Sequence, residues 1–259
     1  MNAAQKLLLA GLCGLLLNLP ADAQEKAPAP KAAPAAGPVQ IVLTGGDASA
    51  KPTRTGCVGF AHTGGGDIQV AQPAPHVLVI TMMGTALAKG QIAKESSARW
   101  TFDMSQCFEI VAQPSVKDIK LSIEGRLIGL LQSGTGCCGP HATATADVSN
   151  AHASIACGDT TIVGIDMPER SASCGHNEMI QLREGPCSQV IQPGCFTLHQ
   201  TLDLGATVKK CPMLCKAVQA DFAPSHALDP AWLGVFDPFH GTIDKDFGFR
   251  VTIRAVPAN

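Results

Sequence analysis

Tyrosine is absent from the 259-residue chain, and only two Trp and nine Phe are present. So few rings weaken any reading that needs an aromatic platform for stacking sugars. Charge is also scarce, at 15% of residues against about a quarter in an average soluble domain, and the net charge is −2. That balance lacks the basic excess of a dedicated nucleic-acid binder, so no nucleic-acid partner is expected. Beyond the N-terminal apolar run no segment reaches 18 uninterrupted apolar residues, so no transmembrane helix is expected in the mature chain. Neither a G-x-S-x-G elbow nor an H-E-x-x-H pair occurs, and no catalytic residue is assigned. What is plentiful points elsewhere. Hydrophobic residues make up 46%, too many for a wholly disordered chain. Gly and Pro together number 26 + 18 = 44, too many for a long helical protein.

The N-terminus reads as a secretory signal peptide over residues 1–23. Lys6 supplies the positive region, Leu7 to Leu17 the apolar run, and Ala21-Asp22-Ala23 the small-residue cleavage site after Pro20. At 1.5 Å per residue the run spans about 16 Å, roughly half of a bilayer core, which argues against an anchor. Ala10-Gly11-Leu12-Cys13 offers a lipidation alternative, but Leu12 is too bulky before the cysteine and the apolar run continues past it. The expected location is secreted, periplasmic or cell-envelope. Residues 24–38 form an Ala/Pro-rich linker: Pro28, Pro30, Pro34 and Pro38 break any helix and no large apolar group is available to pack.

Residues 39–259 read as one all-β domain, a β-sandwich or jelly-roll-like fold with long disulfide-linked loops. Short runs of period 2 recur between turn residues. Phe247, Phe249, Val251 and Ile253 share one strand face, and Arg250, Thr252 and Arg254 the other. Trp100, Phe102 and Met104 alternate with polar neighbours, as do Ile119, Leu121 and Ile123. Phe196, Leu198, Leu202 and Leu204 alternate with Thr197, His199, Thr201 and Asp203. His76–Met83 and Leu127–Leu131 read as strands buried on both faces, with Gly125 a hairpin turn or a bulge in one long strand. Weaker strands are expected over 39–43, 142–148, 152–157, 160–165, 179–182 and 216–222. Short helical turns are expected near Ala86–Lys94 and Pro230–Val235, and Gly64-Gly65-Gly66 reads as a flexible turn.

Eleven cysteines are present; without Cys13 ten remain, an even number in an exported chain. Cys57, Cys107, Cys137, Cys138, Cys157, Cys174, Cys187, Cys195, Cys211 and Cys215 are therefore disulfide candidates, with at most two thiols expected free. Adjacent Cα atoms lie about 3.8 Å apart, below the disulfide range, so Cys137 and Cys138 need different partners. The alternative is a metal site in the loops Cys137-Cys138-Gly139-Pro140-His141 and Cys174-Gly175-His176, with Cys137, His141, Cys174 and His176 as ligands. No zinc-type C-x₂-C spacing supports it, and no other cofactor is assigned. Asp237, Asp244 and Asp246 lack the closing Glu of a calcium loop and read as a polar turn.

These features lead to an exported, disulfide-stabilised sandwich with a non-catalytic structural or binding role at or outside the cell envelope. Its ligand or partner is not legible from the chain. The alternatives are a metal-binding protein or metalloenzyme using the Cys/His loops, and a carbohydrate-binding module relying on Trp100 or Trp232.

Overall fold

The computed structural model describes residues 37–56, 61–89, 95–133, 143–173, 175–209, 218–221 and 247–258. Every regular element among them is a β-strand. In chain order these are β1 (Val39–Thr55), β2 (Ala61–Ala74), β3 (Val77–Ala88), β4 (Ser96–Ala112), β5 (Ile119–Ser133) and β6 (Thr143–Cys157). They continue with β7 (Thr160–Asp166), β8 (Arg170–Ser173), β9 (Asn177–Ile191), β10 (Gly194–Lys209), β11 (Val218–Asp221) and β12 (Gly248–Pro257). All pairings are antiparallel. Sheet A runs β1-β4-β10-β6-β7, with β8 beside β6. Sheet B contains β2-β3-β12-β5-β9, with β11 also between β3 and β5. The chain from Ala36 onward is one compact unit.

The alternation in the sequence becomes the inter-sheet core. Phe249, Val251, Ile253 and Ala255 of β12 are each 0% exposed and meet Leu78, Ile80 and Met82 of β3 and Leu121, Ile123 and Leu127 of β5 on the same face. Sheet A answers with Trp100, Phe102, Met104 and Phe108 of β4 and Phe196, Leu198, Leu202 and Leu204 of β10. Trp100 stacks on Phe102 at 5.5 Å and Phe108 on Phe196 at 5.9 Å between ring centres, so both ring pairs lie within one sheet face. The Trp100 indole N–H donates to the Thr85 carbonyl at 3.1 Å, satisfying its one polar group inside the core.

Sheet B is built around a slot between β3 and β5 that two chain segments fill in turn. β11 pairs with Thr85–Ala88 and Leu130–Ser133. β12 enters at Gly248, opposite Ile128, and continues in the same direction. Between the two segments the flanking strands present Gly84 and Gly129. Gly248 has φ 116, a left-handed conformation that a side chain resists, and a Cβ there would sit 2.6 Å from the Met82 carbonyl oxygen. Only glycine starts this strand without displacing its neighbour.

Leu127–Leu131 is buried on both faces as expected, but of the His76–Met83 run only Ile80–Met83 is: His76, Val77 and Val79 are half-buried, and the fully buried stretch instead continues to Ala88. Met83, Leu87, Ile128 and Leu130 point away from the inter-sheet core and are still at most 8% exposed. The hairpin turn or bulge expected at Gly125 is corrected: β5 runs through Gly125 as one strand, regularly paired with Val251 of β12, and the register shift against β9 between Ile123 and Gly125 places the extra residue in β9, at Gly185-Pro186. The expected helical turn at Ala86–Lys94 is corrected: Ala86 to Ala88 belong to β3, where pairing with β2 and β11 outweighs the alanine propensity for helix. The turn expected at Gly64–Gly66 lies inside β2, carried as a bulge between Gly64 and Asp67. The turn at Pro230–Val235 lies outside the described residues.

Ile253 is fully buried and Thr252, its neighbour, half-buried on the outer face opposite Glu124. Ile253→Asp places an unpaired carboxylate in the core and is expected to cost about 3–5 kcal/mol, whereas Thr252→Asp is expected to cost under about 1 kcal/mol, most of it repulsion from Glu124. Denaturant midpoints of the two variants check this, and equal losses would mean that the inward face is misassigned.

Candidate functional site

The outer face of sheet A is a polar surface, and cross-strand register decides which side chains meet on it. One row across the sheet reads Asp166, His152, Thr201, Asp103, Ser49, and the next reads Gly164, Ser154, His199, Ser105, Asp47. Nearer the β1 C-terminal end lies a row of hydroxyls, Ser173, Thr145, Thr207, Ser97 and Thr55, in which Thr55 Oγ1 and Ser97 Oγ are 2.5 Å apart. Neighbouring strands stand about 4.8 Å apart, so these rows present hydrogen-bonding groups at that spacing. Asp47, Asp103, Glu109, Asp147, Asp166 and Asp203 give the face an acidic lean against Lys51, Arg99 and Lys209.

A parity change in β6 assembles the face. Thr145, Asp147 and Ser149 point outward. Asn150 then adopts φ 52, and the register against β10 shifts between Thr201 and Asp203. Asn tolerates the left-handed region better than other side chains. The extra residue turns Ala151 and Ala153 into the core and His152 and Ser154 outward.

Among the described residues three ion pairs lie on this face; at its margin Lys209 meets Glu95 at 3.6 Å. His152 Nδ1 and Asp166 Oδ1 are 2.6 Å apart across β6 and β7. The carboxylate only accepts, so Nδ1 carries the proton and Nε2 is the free nitrogen of the neutral ring. Arg99 reaches Asp147 at 3.1 Å although a whole strand separates them. The residue between is Gly205, paired with both, and a Cβ there would sit 2.6 Å from Asp147 Oδ1. Absence of a side chain lets the guanidinium and carboxylate meet over the β10 backbone. Burial pushes the Asp147 carboxyl above its usual range; Arg99 opposes that shift, while Asp203 and Glu169 add to it. Asp203 Oδ1 is buried with no hydrogen-bond partner among the described residues.

The residues singled out from the sequence divide into two groups. Cys107, Cys157 and Cys195 are exposed free thiols and Cys187 is a half-buried free thiol. Register keeps these four from facing one another. Cys107 faces Thr197, Cys195 faces Glu109, Cys187 faces Ile123 and Cys157 faces Thr160. Cys107 and Cys195 are diagonal neighbours, about 7–8 Å apart at Cα in such a geometry and beyond ordinary disulfide range. Cys57, Cys137, Cys138, Cys174, Cys211, Cys215 and His141 lie outside the described residues, as do Asp237, Asp244 and Asp246. His176 is exposed; its N–H donates to the Ser173 carbonyl at 3.2 Å and its carbonyl accepts from the Ser133 N–H at 3.1 Å.

Backbone pairing nonetheless brings the ends of the cysteine-bearing loops together. Ser133, before the Cys137–His141 loop, pairs with Val218, after the Cys211–Cys215 loop. Thr143 pairs with Lys209, and Thr145 with Ser173. Ala61, after the Cys57 loop, pairs with Ala88, itself paired with Val218.

Elsewhere, a shallow groove of about 660 Å³ lies on sheet B between Lys120, Val190 and Val256, with Lys120 as its one ionisable side chain. No three His, Cys, Asp or Glu side chains among the described residues form a ready-made metal cluster. No described helix is long and apolar enough to cross a membrane. No family model, curated protein or solved structure matches the chain.

Asp147 carries a pH signature. Its folded-state pKa lies above the unfolded value of 3.8, so the ionised group costs stability at neutral pH. The cost is fully present above the folded pKa, shrinks as pH falls through it, and is gone below 3.8. Asp147→Asn is therefore expected to melt at or above the wild-type temperature at pH 7, with the difference closing towards pH 3.5. Thermal melts across that range check it; an Asn variant less stable at pH 7 than at pH 3.5, relative to wild type, contradicts it.

Proposed function

We propose that the chain is an exported, disulfide-stabilised β-sandwich with a non-catalytic binding or structural role at or outside the cell envelope. The signal-peptide pattern of residues 1–23 supports export. The observation that carries the binding role is the five-strand outer face of sheet A, where hydroxyl, imidazole and carboxylate groups stand in register on a rigid scaffold. A polar sheet face several strands wide suits an extended polar partner better than a small substrate, which needs a concave site.

The disulfide reading narrows to the loop cysteines Cys57, Cys137, Cys138, Cys174, Cys211 and Cys215, an even set. The paired strand ends support this: Cys137 is four residues from Ser133 and Cys211 two from Lys209, at about 3.5 Å per residue at most. A crosslink closing a 15-residue loop stabilises by about 3 kcal/mol in the chain-entropy model. The same convergence keeps the Cys/His metal alternative alive, because crosslinks and ligands draw on the same loops. The carbohydrate alternative rests on Trp232, which lies outside the described residues, because Trp100 is 8% exposed and points into the core.

Intact-mass and peptide mapping of denatured, unreduced protein from the exporting cell test this reading. The expected chain begins at Gln24 and carries four free thiols, on Cys107, Cys157, Cys187 and Cys195. A chain that retains Met1 and stays in the cytoplasm removes the export reading, and ten free thiols remove the crosslinks.

A further inference from the structure

We propose that His152 and His199 form a binding site for a borderline divalent transition-metal ion, zinc being the representative, on the outer face of sheet A. Four observations carry it. His152 faces Thr201, and His199 faces Ser154, so the two histidines are diagonal neighbours on adjacent strands β6 and β10. Diagonal Cα atoms stand about 7–8 Å apart. Two imidazoles pointing off the same face close that gap from either side, with metal–nitrogen bonds of about 2.0–2.1 Å.

Next, Asp166 holds His152 through Nδ1 at 2.6 Å. This is the arrangement in which a carboxylate fixes the tautomer and orientation of a metal-ligating imidazole and raises its basicity. Nε2 is left with its lone pair directed away from Asp166.

The third observation is access. His199 is exposed, Ser154 and Ser105 beside it are small, and Gly164 has no side chain. An ion and its remaining water ligands therefore fit above the strands without displacing any large group. Lastly, Asp103 and Asp47 flank His199 on the β4 and β1 side, which favours a cation at this position.

Two imidazoles with water completing the shell make an open, exchangeable site rather than a closed structural one. It shares no residue with the Cys/His loops.

The test titrates zinc chloride into tag-free mature protein and follows the His152 and His199 ring nitrogens by long-range ¹⁵N–¹H spectroscopy. Calorimetry gives the dissociation constant. Both Nε2 signals are expected to move together and saturate with one equivalent. His152→Ala and His199→Ala should each weaken this binding tenfold or more, and Asp166→Asn about tenfold, with melting temperatures near wild type. Zinc bound solely by the cysteine loops would leave both imidazole signals unmoved. That outcome overturns the proposal, as does an affinity unchanged in His199→Ala.

Discussion

Sheet B depends on the slot between β3 and β5 being filled. Without β12 and β11 it separates into β2-β3 on one side and β5-β9 on the other, each a two-stranded ribbon of marginal stability in water. β12 supplies the four most central inward side chains of the sheet, and burying a phenylalanine such as Phe249 contributes about 1.5–3 kcal/mol. Sheet A secures the same place from across the core. Gln200 is fully buried, and its amide donates to the Phe249 carbonyl at 3.2 Å, just past the glycine that starts the strand. Its Oε1 has no partner among the described residues. A half-satisfied amide in an apolar core costs energy, and a polar tie between the two sheets at the strand entry is consistent with fixing register rather than adding stability.

The parts of this fold that were legible in the sequence are those where one face is buried and the other wet. In β12, β4, β10 and the first half of β5, strict alternation of large apolar and polar residues reports the pleat directly. The edges were harder. β2 is AHTGGGDIQVAQPA, and its three glycines read as a turn because the strand draws its order mainly from pairing with β3. β1 continues twelve residues beyond its legible start, through Gly45 and Pro52, by pairing with β4. β9 is mostly exposed and holds Pro186, yet it pairs along nearly the whole of β5. Long-range hydrogen bonding orders such segments, and local composition carries no trace of it.

The candidate face was less legible still. His152 and Asp166 are fourteen residues apart, and His199 is further along; only the β6–β7 and β6–β10 registers make them neighbours. Periodicity gives the face a residue occupies but not its partner across the strand, so it could not bring these histidines together. The cysteines show the same limit. Their number and the signal-peptide-like pattern of residues 1–23 point to crosslinks in general. Which of them stand on strands opposite a threonine, a glutamate or an isoleucine is decided by pairing.

Register on the outer face is in turn a consequence of the core. The inward positions of β6, from Ala144 through Val148 and then from Ala151 to Ile155, are small apart from Val148 and Ile155, and they pack beneath Leu202, Leu204 and Leu198 of β10. A continuous period-2 strand would direct Ala151 and Ala153 to solvent and drive His152 and Ser154 into that core. The bulge at Asn150 resolves this conflict: it keeps the alanines inside and costs one residue in the left-handed region. The break between two short apolar runs in the sequence, around Ser149-Asn150, is the local sign of that event. The same bulge that preserves the packing thus puts His152 beside Asp166 and diagonal to His199, so the chemistry of the face follows from how the small residues beneath it are accommodated.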